Sequence, residues 1–127
     1  MTDEQRALIA KAEAALEWHG RFLTFGDVVD QAQQGRMQLW SDGVHAICAT
    51  EILTYPRRTI CNAVLAAGDV KGVLALQPQI EAFAREAGAD AMVTHGRPAW
   101  GRIGRASGWQ AHSMLFVRRL KASEGTH

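Results

Sequence analysis

Two cysteines, three prolines and one tyrosine are all that this 127-residue chain holds of those residue types. Cys48 and Cys61 are too few for the disulfide framework of a small secreted domain, and each falls inside a stretch read as a strand. They are expected to be reduced, buried and structural. No Cys-x-x-Cys occurs and no two histidines stand at metal-ligand spacing, so the sequence predicts no metal. No apolar run approaches the roughly 20 residues needed to cross a bilayer. Met1-Thr2-Asp3-Glu4 is acidic where a signal peptide is basic. The expectation is a protein of the cytoplasm, or of an assembly made there, with no membrane partner. With no repeat, low-complexity tract or linker, the chain reads as one domain over residues 1–120, followed by a flexible polar tail over 121–127.

Net charge is nearly absent as well. Lys and Arg number 14 against 13 Asp and Glu, so global charge gives no reason to propose nucleic acid. The charge is unevenly placed, however. Residues 91–127 carry Arg97, Arg102, Arg105, Arg118, Arg119 and Lys121 against Glu124 alone, whereas residues 1–35 carry Asp3, Glu4, Glu13, Glu17, Asp27 and Asp30 against Arg6, Lys11 and Arg21. An acidic end and a basic end are either solvated surface or, at the basic end, a contact to phosphate or to an acidic protein face.

Apolar residues make up 47% of the chain, enough for an ordinary globular core, and their spacing gives the elements. Thr2 and Gln5 form a capping-box start to a helix that runs to Trp18, with Leu8, Ala12, Ala15 and Leu16 on one face. His19-Gly20 ends it. Thr24 and Asp27 open a second helix that turns Val28, Val29 and Ala32 inward and stops at Gly35. Met37–Trp40 is a short strand, Ser41-Asp42-Gly43 a hairpin turn, and Val44–Tyr55 a long strand. On that strand the side bearing Val44, Ala46, Cys48, Thr50 and Ile52 is the more uniformly apolar and is expected to face the core. Pro56 stops it, and Thr59–Ala66 completes an antiparallel meander.

Gly68 and Gly72 bracket the entry to a long helix over 70–87, in which Val73, Leu76, Ile80, Phe83, Ala84 and Ala87 share a face. Pro78 lies inside that pattern and predicts a kink or a restart. Gly88 closes the helix. Ala91–Thr94 is a short buried strand parallel to the third one, joined to it by a right-handed crossover. Pro98 opens a small helix that holds Trp100 and Ile103 and ends at Ser107-Gly108, and Trp109–Leu120 reads as a final strand. The fold class is α+β: a mixed sheet, an antiparallel meander followed by a β-α-β crossover, with helices on both faces.

Two helices, a meander, a glycine break, a long helix, a strand, a short helix and a final strand form an order that resembles the GCN5-related N-acetyltransferase fold over residues 24–120. Ala49-Thr50-Glu51-Ile52, Tyr55-Pro56-Arg57, Gly96-Arg97-Pro98-Ala99-Trp100 and Gly108-Trp109 are similar to phrases in small acetyltransferase-like proteins from the structural gene clusters of tailed bacteriophages. The resemblance implies a cofactor, acetyl-coenzyme A, with its pyrophosphate held by an Arg/Gln-x-x-Gly-x-Gly/Ala loop at the long helix's N-terminus, where free N–H groups attract anions. Here the loop reads Ala67-Gly68-Asp69-Val70-Lys71-Gly72. The Gly-x-Gly and the leading Arg or Gln are missing, and Asp69 brings a carboxylate. A like charge 4 Å away costs on the order of 4 kcal/mol at an effective dielectric of about 20. Lys71 offsets part of this.

The resemblance also implies a tyrosine, four residues before the Gly-Phe of the last strand, as proton donor to the departing thiolate. Gly108-Trp109 stands in for that pair and Gly104 occupies the tyrosine's place, while Tyr55 lies at the other hairpin. For the general base the candidates are Glu51 and His95. Glu51 either serves as base or pairs with Arg57, Arg58 or Arg97; His95 and the similarly placed His45 stand at strand ends, either as bases or as surface residues. Neither Ser107-Gly108 nor Ser113 has the setting of a nucleophile elbow.

The pointed surface feature is Gly96–Arg102, a rigid turn presenting Arg97, Trp100 and Arg102 with Arg105 beyond, all residue types favoured at interfaces, unless Trp100 plugs the core. The reading that follows is a catalytically inactive acetyltransferase-like protein of a tailed bacteriophage. It would act in the virion or its assembly through other virion proteins, with DNA phosphates as a second class of contact. The alternative is an active N-acyltransferase that binds acetyl-coenzyme A at a divergent loop built from Gly68, Val70, Lys71 and Gly72.

Overall fold

The structure is a computed structural model that describes residues 1–18, 20–95, 104–112 and 115–120. It falls into two compact units, Met1–Val93 and Thr94–His127. In the first, α1 (Asp3–Trp18) starts with the expected box: the Thr2 hydroxyl accepts from the Gln5 N–H at 3.1 Å and the Gln5 side chain accepts from the Thr2 N–H at 2.9 Å. Leu8, Ala12, Ala15 and Leu16 are its buried face. A second box, Thr24 with Asp27, opens α2 (Phe25–Gln33), whose buried residue is Val28. The Glu13 carboxylate accepts the Phe25 N–H, which fixes the start of α2 against α1.

The sheet runs in sequence order: β1 (Gln38–Ser41), β2 (Ala46–Thr54), β3 (Thr59–Gly68) and β4 (Ala91–Thr94). The first three strands are antiparallel, with Gln38 opposite Thr50 and Ala46 opposite Gly68. β4 adds the parallel pair, so the sheet is mixed. A register shift lies between Ala49, opposite Leu65, and Thr50, opposite Ala63, which leaves Val64 as the extra residue of a bulge. The Arg58–Asp90 ion pair at 3.4 Å and the Asp90 N–H on the Thr59 carbonyl at 3.1 Å tie the start of β4 to the start of β3.

Two cores lie on opposite faces of this sheet. On one, Leu8, Ala12, Leu16 and Val28 of α1 and α2 pack on Ile47, Ala49, Leu65 and Ala67. On the other, Leu76, Ile80 and Ala84 of α3 (Val70–Glu86) pack on Ala46, Cys48 and Cys61. The side of β2 expected to face the core does so through Ala46, Cys48 and Thr50, and the first half of its other side is buried as well. Ile47 and Ala49 are as buried as Cys48, because α1 and α2 cover the side that the presence of Glu51 made look polar. The strand also begins at Ala46 and not at Val44, since the residues before it are gathered into a loop by a side chain, described below.

Buried Thr50 organises the centre of the sheet. Its hydroxyl accepts from the Trp40 indole N–H at 3.0 Å and donates to the Gln38 side-chain oxygen at 2.9 Å, which locks β1 onto β2 in one register. Helix α3 is continuous through Pro78, so no restart occurs there; Leu76 and Ile80 hold the turns on either side of the proline against the sheet. Gly88, at φ +88, follows its end.

In the second unit Gly104–Ala106 are helical, and the Gly104 carbonyl accepts from the N–H groups of Ser107 at 2.9 Å and Trp109 at 2.8 Å. The final strand expected over 109–120 is not formed by the described residues of that segment. Leu115, Phe116 and Val117 are apolar in succession instead of in alternation, and Phe116 is 85% exposed. Ser113, Met114 and the expected tail over 121–127 lie outside the described residues, as does His19.

Candidate functional site

The turn from β3 into α3 brings Gly68, Val70, Lys71 and Gly72 together around Asp69. Asp69 is the N-cap: with extended backbone (φ −81, ψ 155) its carboxylate accepts the Gly72 N–H at 2.7 Å, and its carbonyl accepts the Val73 N–H at 3.0 Å. Its own N–H donates to the His45 carbonyl at 2.9 Å. Two of the four N–H groups at this helix end are therefore taken by the chain itself. Those of Val70 and Lys71 have no acceptor among the described residues. The side chains of Asp69 and Lys71 are exposed.

The His45 carbonyl is delivered by the β1–β2 loop, whose form differs from the expected hairpin turn. Ser41-Asp42-Gly43 is not a tight hairpin turn. Asp42 Oδ1 accepts the N–H groups of Val44 at 2.9 Å, His45 at 2.7 Å and Ala46 at 3.2 Å, while Oδ2 meets His45 Nδ1 at 3.0 Å. An Asx-type loop results, in which a carboxylate replaces the strand ladder as acceptor. The N–H groups of Val44 and His45 lead in holding the Asp42 carboxyl well below the usual carboxylate range. A depressed folded value means that the stability it contributes is full above the unfolded value of 3.8 and is lost as pH falls from there toward the folded value. Asp42→Asn keeps an acceptor oxygen but cannot titrate. It is expected to flatten the loss of stability below about pH 4, measured by denaturant unfolding at neutral and acid pH; an equal acid loss in both proteins contradicts this assignment.

The glycines of the turn serve this contact. A Cβ on Gly68, which has φ +116, would lie 2.1 Å from the His45 carbonyl oxygen, and one on Gly72 would lie 2.8 Å from the His45 Cβ and 3.0 Å from the Ala46 Cβ. The loop thus rests directly on the mouth of α3. The sequence signal for this was Asp42 itself, an Asx-turn residue three positions before a histidine. Followed by Gly43, the same residue also fits a tight hairpin turn, and the local pattern does not separate the two.

The other candidates are dispersed. Glu51 stands on β2 directly opposite Asn62 of β3, whose Nδ2 donates to Glu51 Oε2 at 2.9 Å. Its partner is this amide and not Arg57 or Arg58; Arg58 pairs with Asp90. Asn62 Oδ1 is buried with no hydrogen-bond partner among the described residues. Glu51 stands five positions along β2 from Ala46 at the turn, roughly 16 Å at strand rise. His95 is exposed just after β4, and Arg105 is exposed in the Gly104–Ala106 turn. Arg97, Trp100 and Arg102 lie outside the described residues. Tyr55 is 55% exposed at the tip of the β2–β3 hairpin, where its N–H donates to the Arg58 carbonyl at 2.9 Å. Burial pushes the Cys48 thiol up to about 11 and raises Cys61 too, and both are free and buried, as structural thiols should be. Among the described residues no group of three or more His, Cys, Asp or Glu comes together as a metal site, and no helix is long and apolar enough to cross a membrane.

No protein-family model matches this sequence, and no curated protein is similar to it in sequence. Solved structures are similar to it in shape. A GCN5-related N-acetyltransferase from Ralstonia eutropha superimposes with a TM-score of 0.66 at 14% identity, covering 94% of each chain. The fold is that of the GCN5-related N-acetyltransferases. An acetyltransferase from Trypanosoma brucei matches with a TM-score of 0.61 at 13% identity over 88% of this chain and 94% of its own. Glucosamine-6-phosphate N-acetyltransferase from Arabidopsis thaliana matches with a TM-score of 0.60 at 11% identity over 89% and 94%. At these identities the acetyltransferase fold is shared and the chemistry has to be argued from this chain's own residues.

Proposed function

We propose that this chain is a catalytically inactive member of the acetyltransferase fold that works through its surface, as a component of a tailed-bacteriophage particle or of its assembly in the host cytoplasm. One observation carries the inactive part. At the helix end where the resemblance expects a pyrophosphate, the Asp69 carboxylate sits on the Gly72 N–H and the His45 carbonyl on the Asp69 N–H. An incoming diphosphate has to displace both and approach a fixed negative charge. The place of the proton donor is held by Gly104, which has no group to donate. The phage context rests on the likeness of the local phrases around Glu51, Tyr55 and Arg97, and the partners it implies are other virion proteins. Exposed Arg105 and Arg118 in the basic third suit an acidic protein face or DNA phosphates.

Affinity purification of the tagged chain from infected cells tests the surface role. Virion proteins recovered in fixed proportion support it, and a chain recovered alone contradicts it. If DNA is the partner, a gel shift weakens steeply with added salt, whereas an affinity indifferent to salt removes phosphate from the account.

A second reading has its own observation. The Val70 and Lys71 N–H groups have no acceptor among the described residues, and Lys71 stands beside them. An N-acyltransferase built on this turn would hold acetyl-coenzyme A through those two amides, with Glu51 or His95 taking the proton from the amine. Transfer of labelled acetyl to an amine, abolished by Glu51→Gln, would establish it.

A further inference from the structure

We propose that the loop between β1 and β2 is a latch that closes the N-terminus of α3 to anions, and that Asp42 sets it. The inference rests on the reading above that this turn is shut, and it names what shuts it. The Asp42 carboxylate collects three consecutive backbone N–H groups and the His45 ring. The Ser41 hydroxyl closes the base of the loop by accepting the Gly43 N–H at 2.9 Å and donating to the Ala46 carbonyl at 2.8 Å. With those hydrogen bonds made, the backbone of residues 42–46 aims the His45 carbonyl at the Asp69 N–H. Gly72, bare of a side chain, lets the His45 Cβ and Ala46 Cβ settle against the first turn of the helix. Gly68 reaches the same carbonyl with φ +116 and no Cβ.

The latch and the cap are therefore separate devices. Asp69 blocks the turn with its own carboxylate, and Asp42, from another strand connection, blocks it with a neighbour's carbonyl. Removing Asp69 alone leaves the His45 carbonyl in place over residue 69. Removing Asp42 alone frees the amide but leaves the carboxylate. The Val70 and Lys71 N–H groups already have no acceptor there among the described residues, and only the joint loss of Asp42 and Asp69 adds those of residues 69 and 72 to leave all four open to an anion.

Amide hydrogen exchange on the full chain reads the latch directly. In the wild type the Asp69 amide is protected. In Asp42→Ala it is expected to exchange roughly tenfold faster or more, while the Leu65 and Cys61 amides in β3 are unchanged. Asp42→Asn, which retains an acceptor for the same three N–H groups, is expected to keep the slow rate. If Asp42→Ala fails to fold, Gly72→Ala opens the contact from the helix side and is expected to speed the same amide. An unchanged Asp69 rate in whichever of these folds overturns the latch. The second arm titrates inorganic pyrophosphate at low salt. Asp42→Ala/Asp69→Gly is expected to bind it and neither single variant to do so; binding by Asp69→Gly as tight as by the double variant overturns the role of Asp42. Acetyl-coenzyme A binding by the wild type would refute the inactive reading without touching the exchange result, so the two failures are distinguishable.

Discussion

Gly68→Ala is expected to cost roughly 3–5 kcal/mol of stability, a fall on the order of 10–20 °C in Tm for a chain of this size. Two penalties combine. At φ +116 an L side chain is strained on its own account, by about 1–3 kcal/mol. The added methyl also meets backbone, the His45 carbonyl oxygen at 2.1 Å, which cannot rotate aside as a side chain can. Gly35 supplies the control. It too has a positive φ, +76, yet a Cβ there has nothing within 4 Å. Gly35→Ala should therefore lose only the conformational part, about 1 kcal/mol. Thermal unfolding of the two variants side by side measures the loop contact by difference. Equal losses would show that the β1–β2 loop does not press on the turn.

Leu65→Ala is expected to remove roughly 2–5 kcal/mol. Leu65 is 1% exposed on β3, just past the bulge, where the α1–α2 face of the sheet closes over it with Leu8, Leu16 and Val28. Helices cover both faces of the strand, so the surroundings cannot collapse far into the space a lost isobutyl group leaves. Phe116→Ala removes a larger side chain, but Phe116 is 85% exposed and the expected change is within about 0.5 kcal/mol. Denaturant midpoints at constant slope measure both. A Phe116 effect as large as that of Leu65 would mean that the C-terminal apolar run is buried in solution.

Element types were legible wherever periodicity and capping residues agreed. Thr2 with Gln5 and Thr24 with Asp27 set helix starts that the structure keeps, and the 3, 4, 7 spacing from Leu76 to Ala84 gave the buried face of α3. The burial of both sides of β2 comes from packing across sequence distance, which no local pattern carries, whereas the form of the β1–β2 loop comes from a side chain within it. Ile47 and Ala49 share a side with Glu51, and a strand whose one side holds a carboxylate reads as half-solvated until α1 and α2 are seen to cover its first half. Asp42-Gly43 reads as hairpin chemistry, but a carboxylate that can reach three successive N–H groups builds a wider loop. The last strand failed for the opposite reason. Apolar content was present over 109–120 without the alternation a strand requires.

The candidate site was legible as residues but not as a mechanism of closure. From the sequence, Asp69 was a charge near a place for phosphate. In the structure it is an N-cap, and the nearby glycines of the divergent loop are seats for the His45 carbonyl and for the Cβ atoms of His45 and Ala46. The same residue types fit both uses, because a glycine that lets a ligand approach also lets another strand's loop approach. Only the position of residues 42–46 separates the two.

Isothermal titration of the wild-type chain with acetyl-coenzyme A tests the central claim most directly. With Asp69 and the His45 carbonyl on the first turn of α3, the expected result is no heat of binding at ligand concentrations up to about 1 mM, an interaction weaker than about 4 kcal/mol. Micromolar binding that is lost in Gly68→Ala, with that variant still folded, would show that the turn receives the cofactor and would contradict the account.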